Sequence, residues 1–509
     1  MEVKIEILEL VLLCLVGALG LMLMYIRSNY FIHMAQQIGY ISKEYRDWIN
    51  NHPGRAFTFK KSKDEFKKPL VYTPRVKRLI FTQMLLNFLI IALFVVFYFI
   101  RKPDGITFYL LLLALIFVEI VMIFYQNAIT YFALNVNRPI EAMIHRKFYK
   151  QAQSKIKNFK KNGLTVVGIT GSYGKTSTKM ILYNILKDYI PTYTSPESFN
   201  TPMGLSKVIN NELDESARVF IAEMGARYVN EIEELAKLVK PDIGVITNIG
   251  PCHLETFGSI ENIIKTKFEL ADAVKKDGYL ILNVDNENIK NEMTKRNLTP
   301  GTVSVKSEDA TISAKILSAD ENGTSFEVHF PEEVRVLKTP LLGEHNIINI
   351  LMAILVARRF NISNDQIEAA VSKLPQVEHR LNVIKNPAGL IVIDDAFNSN
   401  PDGARAALNV LNSFKSGKKV IVTPGMVELG DMMYDENYKL GQEIARMTDI
   451  SILVGEEITK PIQDGVRDES IETHKSFVVN SLKEATALFP NLLAPGDVVL
   501  FENDLTDIY

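Results

Sequence analysis

The chain has 509 residues, enough for about three domains of ~150 residues each. Charged residues make up 23% and hydrophobic residues 47% of the sequence, which excludes a disordered chain. The net charge of -2 gives no reason to expect a nucleic acid partner. The two cysteines, Cys14 and Cys252, fit a reducing compartment and exclude a framework of several disulfides.

Three long apolar segments crowd the first quarter of the sequence. Because a bilayer core of ~30 Å is crossed by ~20 apolar residues in a helix, each segment is long enough to span it. We predict transmembrane helices at about 5–26, 79–100 and 106–125. Glu119 is the one acid inside the third span, and we expect the amide of Asn87 to pair with it.

The loop between the first two spans, residues 27–78, carries many more basic than acidic residues. By the positive-inside rule this loop is cytoplasmic, and so is everything after residue 125. The segment at 128–163 is basic and helix-like, which is typical of a solvated or lipid-facing linker. We therefore predict a multi-pass plasma-membrane protein with cytoplasmic catalytic domains and membrane lipid as a partner.

From residue 164 onward, short apolar strands alternate with helical patterns, which indicates a parallel sheet. The first strand leads into GSYGKTST at 171–178 and then an amphipathic helix. This arrangement predicts an ATP-binding loop, with Lys175 on the terminal phosphates and Thr176 on Mg²⁺. The usual spacing has glycine at position 169, where this chain has isoleucine. The predicted nucleotide contacts in the loop are Gly171, Ser172, Gly174, Lys175, Thr176 and Ser177.

The segment TGSYGKTS at 170–177 resembles the phosphate loop of the Mur ligase family, which joins amino acids or peptides in peptidoglycan synthesis. The resemblance covers residues 164 to about 499 and is carried by further motifs in the same order. These motifs are NTPMG at 200–204, AEMGA at 222–226, TNIGPCH at 247–253, GEHNIIN at 343–349 and DDAFNSNP at 394–401. The last motif, together with GMVELG at 425–430, is most similar to the branch that adds D-alanyl-D-alanine to a muramoyl-tripeptide.

The resemblance implies an α/β fold after the membrane region at 1–127 and the linker at 128–163. It places a P-loop ATPase domain with a mostly parallel sheet at 164–378. A smaller, Rossmann-like α/β domain follows at 379–509. Closure between the two domains would complete the site and exclude water from a reactive intermediate.

The implied activity is ATP-dependent amide ligation through an acyl phosphate, with two Mg²⁺ sites. Thr176 and Glu223 resemble ligands of one metal, and His253 a ligand of the second. Lys267 matches the lysine that the family carbamylates, a change that turns an ammonium into an anion able to bind a metal. Lys265, two residues earlier, is the competing candidate. Side chains two residues apart on a helix point in different directions, so only one of the two lysines can face the metals. Lys175, His253 and Lys267 are the implied catalytic residues.

Further roles also come from the resemblance. Asn346 and Asn349, on a helix opened by His345, are expected beside adenine. Arg380 and Asp395 are expected to contact phosphate and ribose. The residues expected to shape the substrate site are Asn200, Thr201, Asn398 and Asn400.

Two features depart from the family pattern. The chain has no room for the N-terminal domain that grips UDP in soluble members. Glu502, Asn503 and Asp504 stand where the family carries a Lys-Gly-Ser-Arg region, so acids replace cations. The leading prediction is addition of D-alanyl-D-alanine, or another amino acid, to a peptidoglycan precursor. The alternatives are a poly-γ-glutamate (capsule) synthase, a ligase of lipid-linked precursor, and an inactive membrane scaffold or ATP-driven membrane regulator.

Overall fold

The computed structural model describes most of the chain in two compact units, residues 2–146 and residues 147–504. The described residues are 2–57, 69–103, 105–196, 199–274, 277–320, 322–377, 379–396 and 399–504.

The first unit is helical. Three of its helices, α1, α4 and α5, are long and apolar enough to cross a membrane, over Glu6–Gln37, Pro74–Arg101 and Gly105–Phe124. Each contains one of the apolar segments of the sequence, and the first two helices extend well beyond the predicted spans. The helices are α1 (Glu2–Gln37), α2 (Ser42–Asn51), α3 (Pro53–Phe57), α4 (Pro74–Arg101), α5 (Gly105–Phe124) and α6 (Gln126–Lys161).

The long helices expose apolar side chains and bury polar ones. Leu93 is 66% exposed and Phe117 is 67% exposed, whereas Gln83 and Asn87 are fully buried. Gln83 donates a hydrogen bond to Oγ1 of Thr130 at 2.6 Å. This distribution is the reverse of a water-soluble bundle and is typical of helices surrounded by lipid.

Glu119, in α5, lies against α1 and not against Asn87. A Cβ atom at Gly20 would lie 2.3 Å from Cδ of Glu119, so the carboxyl group fills the space that this glycine leaves. Asn87 instead exchanges hydrogen bonds with Gln126 at 3.3 and 3.4 Å. Oε1 of Glu119 is buried without a hydrogen-bond partner. The expected pairing of Glu119 with Asn87 is therefore wrong, because an amide on α6 offers Asn87 a reciprocal donor and acceptor.

The second unit begins with the end of α6, which covers most of the segment expected to be a linker. Ala152 and Ile156 are fully buried in the core beneath β1. The elements that follow are β1 (Thr165–Thr170), α7 (Lys175–Leu186), β2 (Thr192–Thr194), α8 (Pro202–Asn211), β3 (Val219–Glu223), α9 (Glu231–Val239), β4 (Ile243–Ile246), α10 (Leu254–Phe257), α11 (Ile260–Ala273), β5 (Tyr279–Asn283), α12 (Glu287–Lys295), β6 (Gly301–Ser304), β7 (Ile312–Asp320), β8 (Gly323–His329), β9 (Val334–Thr339), α13 (Glu344–Arg358) and α14 (Asn364–Val371).

These strands form one sheet in the order β2-β3-β1-β4-β5-β6-β7-β8-β9. Strands β2 to β7 are parallel, and β8 and β9 add an antiparallel edge. Strand β1 is almost wholly buried, as expected for a parallel strand covered by helices on both faces. Its neighbours β3 and β4 end beside it, so the residues after all three strands meet at one edge of the sheet.

The remaining elements form a second sheet in the order β10-β11-β15-β12-β13-β14, parallel except for β10. Together the two sheets confirm the predicted α/β fold class. We propose residues 164–378 and 379–509 as the limits of the two domains, called here the central and third domains. The elements are β10 (Asn382–Lys385), β11 (Ile391–Asp395), α15 (Pro401–Ser413), β12 (Lys419–Thr423), a 3₁₀ turn (Gly430–Met432), α16 (Met433–Met447), β13 (Ile450–Val454), α17 (Lys460–Glu469), β14 (Lys475–Val479), α18 (Leu482–Ala487), α19 (Phe489–Leu492) and β15 (Val498–Glu502).

Candidate active site

The glycine-rich loop joins the end of β1 to the start of α7. Gly174 has a φ of 81°, and a Cβ atom there would lie 2.9 Å from Oδ1 of Asn349. Glycine is therefore required both by the left-handed backbone and by the close approach. Ile169, where the usual spacing has glycine, lies inside β1 opposite Glu223 and does not belong to the turn.

Side chains of the loop are tied to the backbone around it. The backbone N–H of Ser172 donates to O of Asn248 at 2.7 Å, and its hydroxyl donates to O of Gly250 at 2.9 Å. Nζ of Lys175 donates to O of Gly171 at 2.8 Å. Ser177 is buried in the first turn of α7. The loop is thus fixed as a cradle beside the N-terminus of a helix, the usual setting for a phosphate.

Glu223 ends β3 and accepts hydrogen bonds from α7 and from the segment before α8. Oε2 accepts from Oγ1 of Thr176 at 3.1 Å, and Oε1 accepts from Nδ2 of Asn200 at 3.0 Å. Burial acts to raise the pKa of Glu223, but Lys179 and Lys175 outweigh it and hold this pKa below its ordinary value. Glu223 is therefore an anion at neutral pH.

Lys179 is the residue at this site that sequence reasoning missed. Its Nζ lies 3.0 Å from Oε2 of Glu223, and both side chains are almost fully buried. The sequence does indicate this position, because Lys179 follows Lys175 by four residues and so lies on the same face of α7.

The carboxylate of Glu223 and the hydroxyl of Thr176 bring together two oxygen atoms of the kind that Mg²⁺ prefers. In the part of the chain that is described, no three His, Cys, Asp or Glu side chains converge as a metal cage. Mg²⁺ does not need one, since it is commonly bound by one or two protein oxygens, phosphate oxygens and water. The donors present therefore fit the ion.

His253 precedes α10 with a left-handed φ of 50°. Its Nδ1 contacts Oε2 of Glu428, a residue of the third domain. The other oxygen of Glu428 forms an ion pair with Arg227, and its backbone O accepts from N of Leu254 at 2.9 Å. Glu428 therefore joins the two domains at one point and leaves Nε2 of His253 as the ring nitrogen for any metal.

Lys267, on α11, is 1% exposed, whereas Lys265 is exposed to solvent. Nζ of Lys267 lies 5.6 Å from the ring centre of Phe257. Burial lowers the pKa of Lys267 to about 8, against an opposing effect of Cys252. The structure thus directs Lys267, and not Lys265, into the protein.

A pocket of about 420 Å³ lies between the central and third domains, next to the glycine-rich loop. Tyr173 of the loop lines one side, and Asp402, Arg405 and Asn409 of α15 line another. Its size suits a nucleoside, since ligand pockets start at ~300 Å³. The other lining residues include Asn248, Asn283, Asp285, Lys306, Leu342, Gly343, His345 and Ile348.

His345 lines this pocket, but Asn346 and Asn349 do not. The amide of Asn346 donates to O of Leu342 at 2.8 Å. Oδ1 of Asn349 accepts from Oγ1 of Thr178 at 3.1 Å. Asn349 therefore ties α13 to α7, whereas Asn346 bonds to the residues at the start of its own helix. Burial lowers the pKa of His345 to about 4, which keeps its ring neutral at physiological pH.

Asp395, expected at the ribose, is not among the residues that line this pocket, and its ribose contact stays a prediction. Its Oδ1 accepts from N of Leu381 at 3.2 Å. Burial lowers the pKa of Arg380, while Asp395 and Glu223 act to raise it. Arg380 therefore interacts electrostatically with Glu223, the carboxylate that Thr176 of the glycine-rich loop contacts.

The residues expected at the substrate site are placed as follows. Asn200 holds Glu223, as described above. Thr201 caps α8, accepting from N of Gly204 at 3.2 Å. Asn400 caps α15, accepting from N of Gly403 at 3.0 Å. Asn398 lies outside the described residues.

Models of two protein domains match this chain. The Mur ligase middle domain matches residues 169–357, and the Mur ligase glutamate ligase domain matches residues 379–502. The chain is 34% identical over 361 residues to the UDP-N-acetylmuramoyl-tripeptide--D-alanyl-D-alanine ligase of Mycobacterium tuberculosis, covering 66% of this chain and 70% of that protein. With the enzyme of the same name from Bacillus subtilis the identity is 33%, covering 53% of this chain but only 58% of that protein.

Solved structures of Mur ligases also match this chain. MurF from Acinetobacter baumannii matches with a TM-score of 0.64 and 26% identity, over 72% of this chain and 78% of that one. MurF ligase from Thermotoga maritima in complex with ADP matches with a TM-score of 0.64 and 26% identity, over 71% and 80%. The chain belongs to the Mur ligase family, whose members are ATP-dependent, ADP-forming amide ligases. The resemblance read from the sequence motifs is confirmed.

Proposed function

We propose that this protein is a membrane-anchored, ATP-dependent ligase of peptidoglycan precursor synthesis. In the proposed reaction it adds D-alanyl-D-alanine to a muramoyl-tripeptide and releases ADP and phosphate. The contact of Thr176 with Glu223, beside a pocket of nucleoside size, is the observation that carries the proposal. The names of the relatives supply the substrates.

The proposed chemistry activates a carboxylate by phosphorylation. An oxygen of the substrate carboxylate attacks the γ-phosphorus of ATP, the bond to ADP breaks, and an acyl phosphate forms. The amine then attacks the acyl carbon, and inorganic phosphate leaves with the electrons of the broken C–O bond. Lys175 would turn from O of Gly171 to the terminal phosphates, and Arg380 would add a second cation.

Mg²⁺ would neutralise the phosphates and the migrating group when bound. Thr176 and Glu223 are the proposed residues for one ion. His253, through Nε2, and Lys267 are the proposed residues for a second. Lys267 suits carbamylation because CO₂ adds to a neutral amine, and burial makes deprotonation of this amine easier.

The remaining expected roles are proposed in a changed form. His345 and Tyr173 take the adenine side of the pocket, with Asn346 and Asn349 supporting it from behind. Asn200 positions Glu223. We propose that Thr201, Asn398 and Asn400 shape the substrate site. Thr201 and Asn400 are the N-terminal caps of α8 and α15.

We further propose that α1, α4 and α5 span the plasma membrane, with lipid as their partner and the catalytic domains in the cytoplasm. The exposed apolar surface of these helices supports this location. The basic loop after α1 supports the orientation. Anchoring would bring the ligase close to precursors attached to a lipid carrier.

The test uses the detergent-purified full chain with ATP and Mg²⁺. Amine donors are offered with UDP-linked, lipid-linked and free muramoyl-tripeptides, and phosphate release and product mass are followed. We expect ligation that is lost in Lys175→Ala and retained in Lys187→Ala, a surface control on the same part of the chain. Turnover with glutamate alone would instead identify a poly-γ-glutamate synthase, and no turnover with any acceptor would identify a scaffold.

The acyl phosphate has its own test. The tripeptide carboxylate is labelled with ¹⁸O, and released phosphate is analysed by mass spectrometry. One ¹⁸O atom should pass to phosphate in each turnover. Phosphate without label contradicts the intermediate.

A further inference from the structure

Two arginines of α4 share one carboxylate of α6. Nε of Arg78 donates to Oε1 of Glu141 at 2.8 Å, and Nη2 of Arg78 lies 2.7 Å from the same oxygen. Nε of Arg75 lies 3.7 Å from Oε2 of Glu141, which is too far for a hydrogen bond. Glu141 is buried, whereas the side chains of Arg75 and Arg78 are 28% and 32% exposed. Glu141 therefore satisfies Arg78 and leaves the N–H groups of Arg75 to another acceptor.

Contacts around the two arginines hold them in place. Oγ1 of Thr82 donates to O of Arg78 at 3.0 Å and accepts from Nδ2 of Asn137, on α6, at 2.8 Å. Cζ of Arg75 lies 4.2 Å from the ring centre of Tyr40. A guanidinium that is already held in this way loses less side-chain freedom when it binds an anion. The arrangement is therefore built before any ligand arrives.

His145 completes the group, called here the arginine cluster: Arg75, Arg78, Glu141 and His145. It follows Glu141 by about one turn of α6 and so lies on the same side of that helix. Burial lowers the pKa of His145, Arg75 lowers it further, and Glu141 acts to raise it. The ring therefore lies within electrostatic reach of these charged side chains. Two arginines against one glutamate leave the cluster with an excess of positive charge.

The length of α4 places the cluster in the headgroup layer of the proposed membrane. From Arg101 back to Arg78 the helix rises about 35 Å, at ~1.5 Å per residue. The hydrocarbon core is ~30 Å thick, so these two arginines lie just outside it on opposite sides. Lipid phosphates lie in this layer, and the positive-inside orientation assigns the Arg78 end to the cytoplasmic leaflet.

Exposed apolar side chains of α6 lead up to the cluster. They recur at intervals of four, four and three residues, which places them on one face of the helix. The last of them comes two residues before His145. An apolar stripe that ends beside cationic side chains is typical of a helix at the boundary between lipid tails and headgroups. The stripe consists of Phe132, Val136, Ile140 and Met143.

We propose that the arginine cluster binds the diphosphate of a carrier lipid in the cytoplasmic leaflet. This inference rests on the proposed function and deepens it, because it assigns the muramoyl-tripeptide to a lipid-linked form. Arg75 and Arg78 are three residues apart on one helix face, with Cβ atoms ~5–6 Å apart, so each can face one phosphate of a diphosphate. Guanidinium groups match phosphate oxygens with pairs of parallel hydrogen bonds. A lipid with a single phosphate would engage only one of the two arginines in this way.

The test measures binding without turnover, on the full chain in a neutral detergent. Farnesyl diphosphate, farnesyl phosphate and inorganic pyrophosphate are titrated calorimetrically. Excess ADP, without Mg²⁺, keeps the probes out of the phosphate loop. We expect farnesyl diphosphate to bind ~10-fold more tightly than the monophosphate, because it engages a second guanidinium. It should also bind ~10-fold more tightly than pyrophosphate, which lacks the apolar chain.

Arg75→Gln should weaken the binding of farnesyl diphosphate ~10-fold, since one guanidinium is lost. Arg46→Gln is the matched control, because it removes an exposed arginine of the same helical unit and should leave binding unchanged. If Arg75→Gln does not fold, Arg78→Gln combined with Glu141→Gln carries the same test without leaving a buried carboxylate unpaired.

Three results would overturn the site: equal binding of farnesyl diphosphate in the wild type and in Arg75→Gln, an equal loss in Arg46→Gln, or binding of either other probe as tight as that of farnesyl diphosphate. The failure of the proposed function looks different. Binding that depends on Arg75 in a chain that ligates nothing contradicts the ligase activity alone. Ligation alongside binding that ignores Arg75 contradicts the site alone.

Discussion

The carboxylate of Glu428 contacts Nδ1 of His253, although 175 residues separate them in the chain. Glu428 adopts a left-handed φ of 61°, which a residue with a Cβ rarely takes. Carboxylates that bond one ring nitrogen of a histidine fix its tautomer and direct the other nitrogen to a metal. We infer that approach of the third domain sets the orientation of His253.

We expect Glu428→Ala to weaken metal binding at the second Mg²⁺ site proposed above. Loss of such a carboxylate commonly costs ~10–100-fold in metal affinity. Mn²⁺ binding to the full chain with ADP, followed by electron paramagnetic resonance, should show one weakened site and one unchanged. Glu472→Gln serves as the surface control. Two unaltered sites in Glu428→Ala would separate Glu428 from metal binding.

Lys179→Met should destabilise the α/β unit strongly. Removing one partner of a buried ion pair leaves a buried charge, at a cost of about 3–5 kcal/mol. Tryptic cleavage in urea, followed on the full chain, should begin at a lower urea concentration than in the wild type. Lys265→Met, at an exposed position of α11, should change nothing.

A double variant separates the charge effect from packing. If an unpaired Glu223 is the cause, Lys179→Met with Glu223→Gln should recover part of the lost stability, because no buried charge remains. A double variant less stable than Lys179→Met would show that packing around Lys179 dominates.

Lys267→Ala should abolish ligation while retaining nucleotide binding. If the carbamate supplies an anion, short carboxylic acids such as acetate should restore part of the activity, because they can occupy the space and bind the metal. Lys265→Ala is the matched control, since this neighbouring side chain is exposed. Unchanged ligation in Lys267→Ala, or failure of every acid to rescue it, contradicts the carbamate.

The sequence predicted the fold and the phosphate loop because both rest on local patterns. Apolar periodicity defines the strands, and the glycines between β1 and α7 have one common use. The partner of Asn87 was not predicted, because Gln126 lies just after the last predicted span, which ends at residue 125. A hydrogen-bond partner depends on which helix faces pack together, and composition does not fix this.

Contacts between distant segments were the other omission. Glu428 lies within the GMVELG motif at 425–430, yet its contacts with His253 and Arg227 depend on how two sheets approach each other. The pocket likewise takes Asp402 and Arg405 from α15, two residues that the sequence did not single out. The position of Lys179 could have been predicted from the sequence, since its four-residue spacing from Lys175 places it on the same helix face, beside the phosphate loop.

Stability below neutral pH should depend on His345. Its pKa is about 4 in the folded chain because burial disfavours the charged ring, against an ordinary value of 6.5. Between these two values the unfolded chain binds a proton that the folded chain does not. The contribution of His345 to the free energy of unfolding is therefore fully present above pH 6.5 and is lost progressively as the pH falls towards 4. In His345→Asn the thermal unfolding midpoint should fall less steeply over this range, whereas His329→Asn, at a position that does not line the pocket, should retain the wild-type slope. Equal slopes in His345→Asn and the wild type would mean that the ring is protonated in the folded chain and that the pocket tolerates its charge.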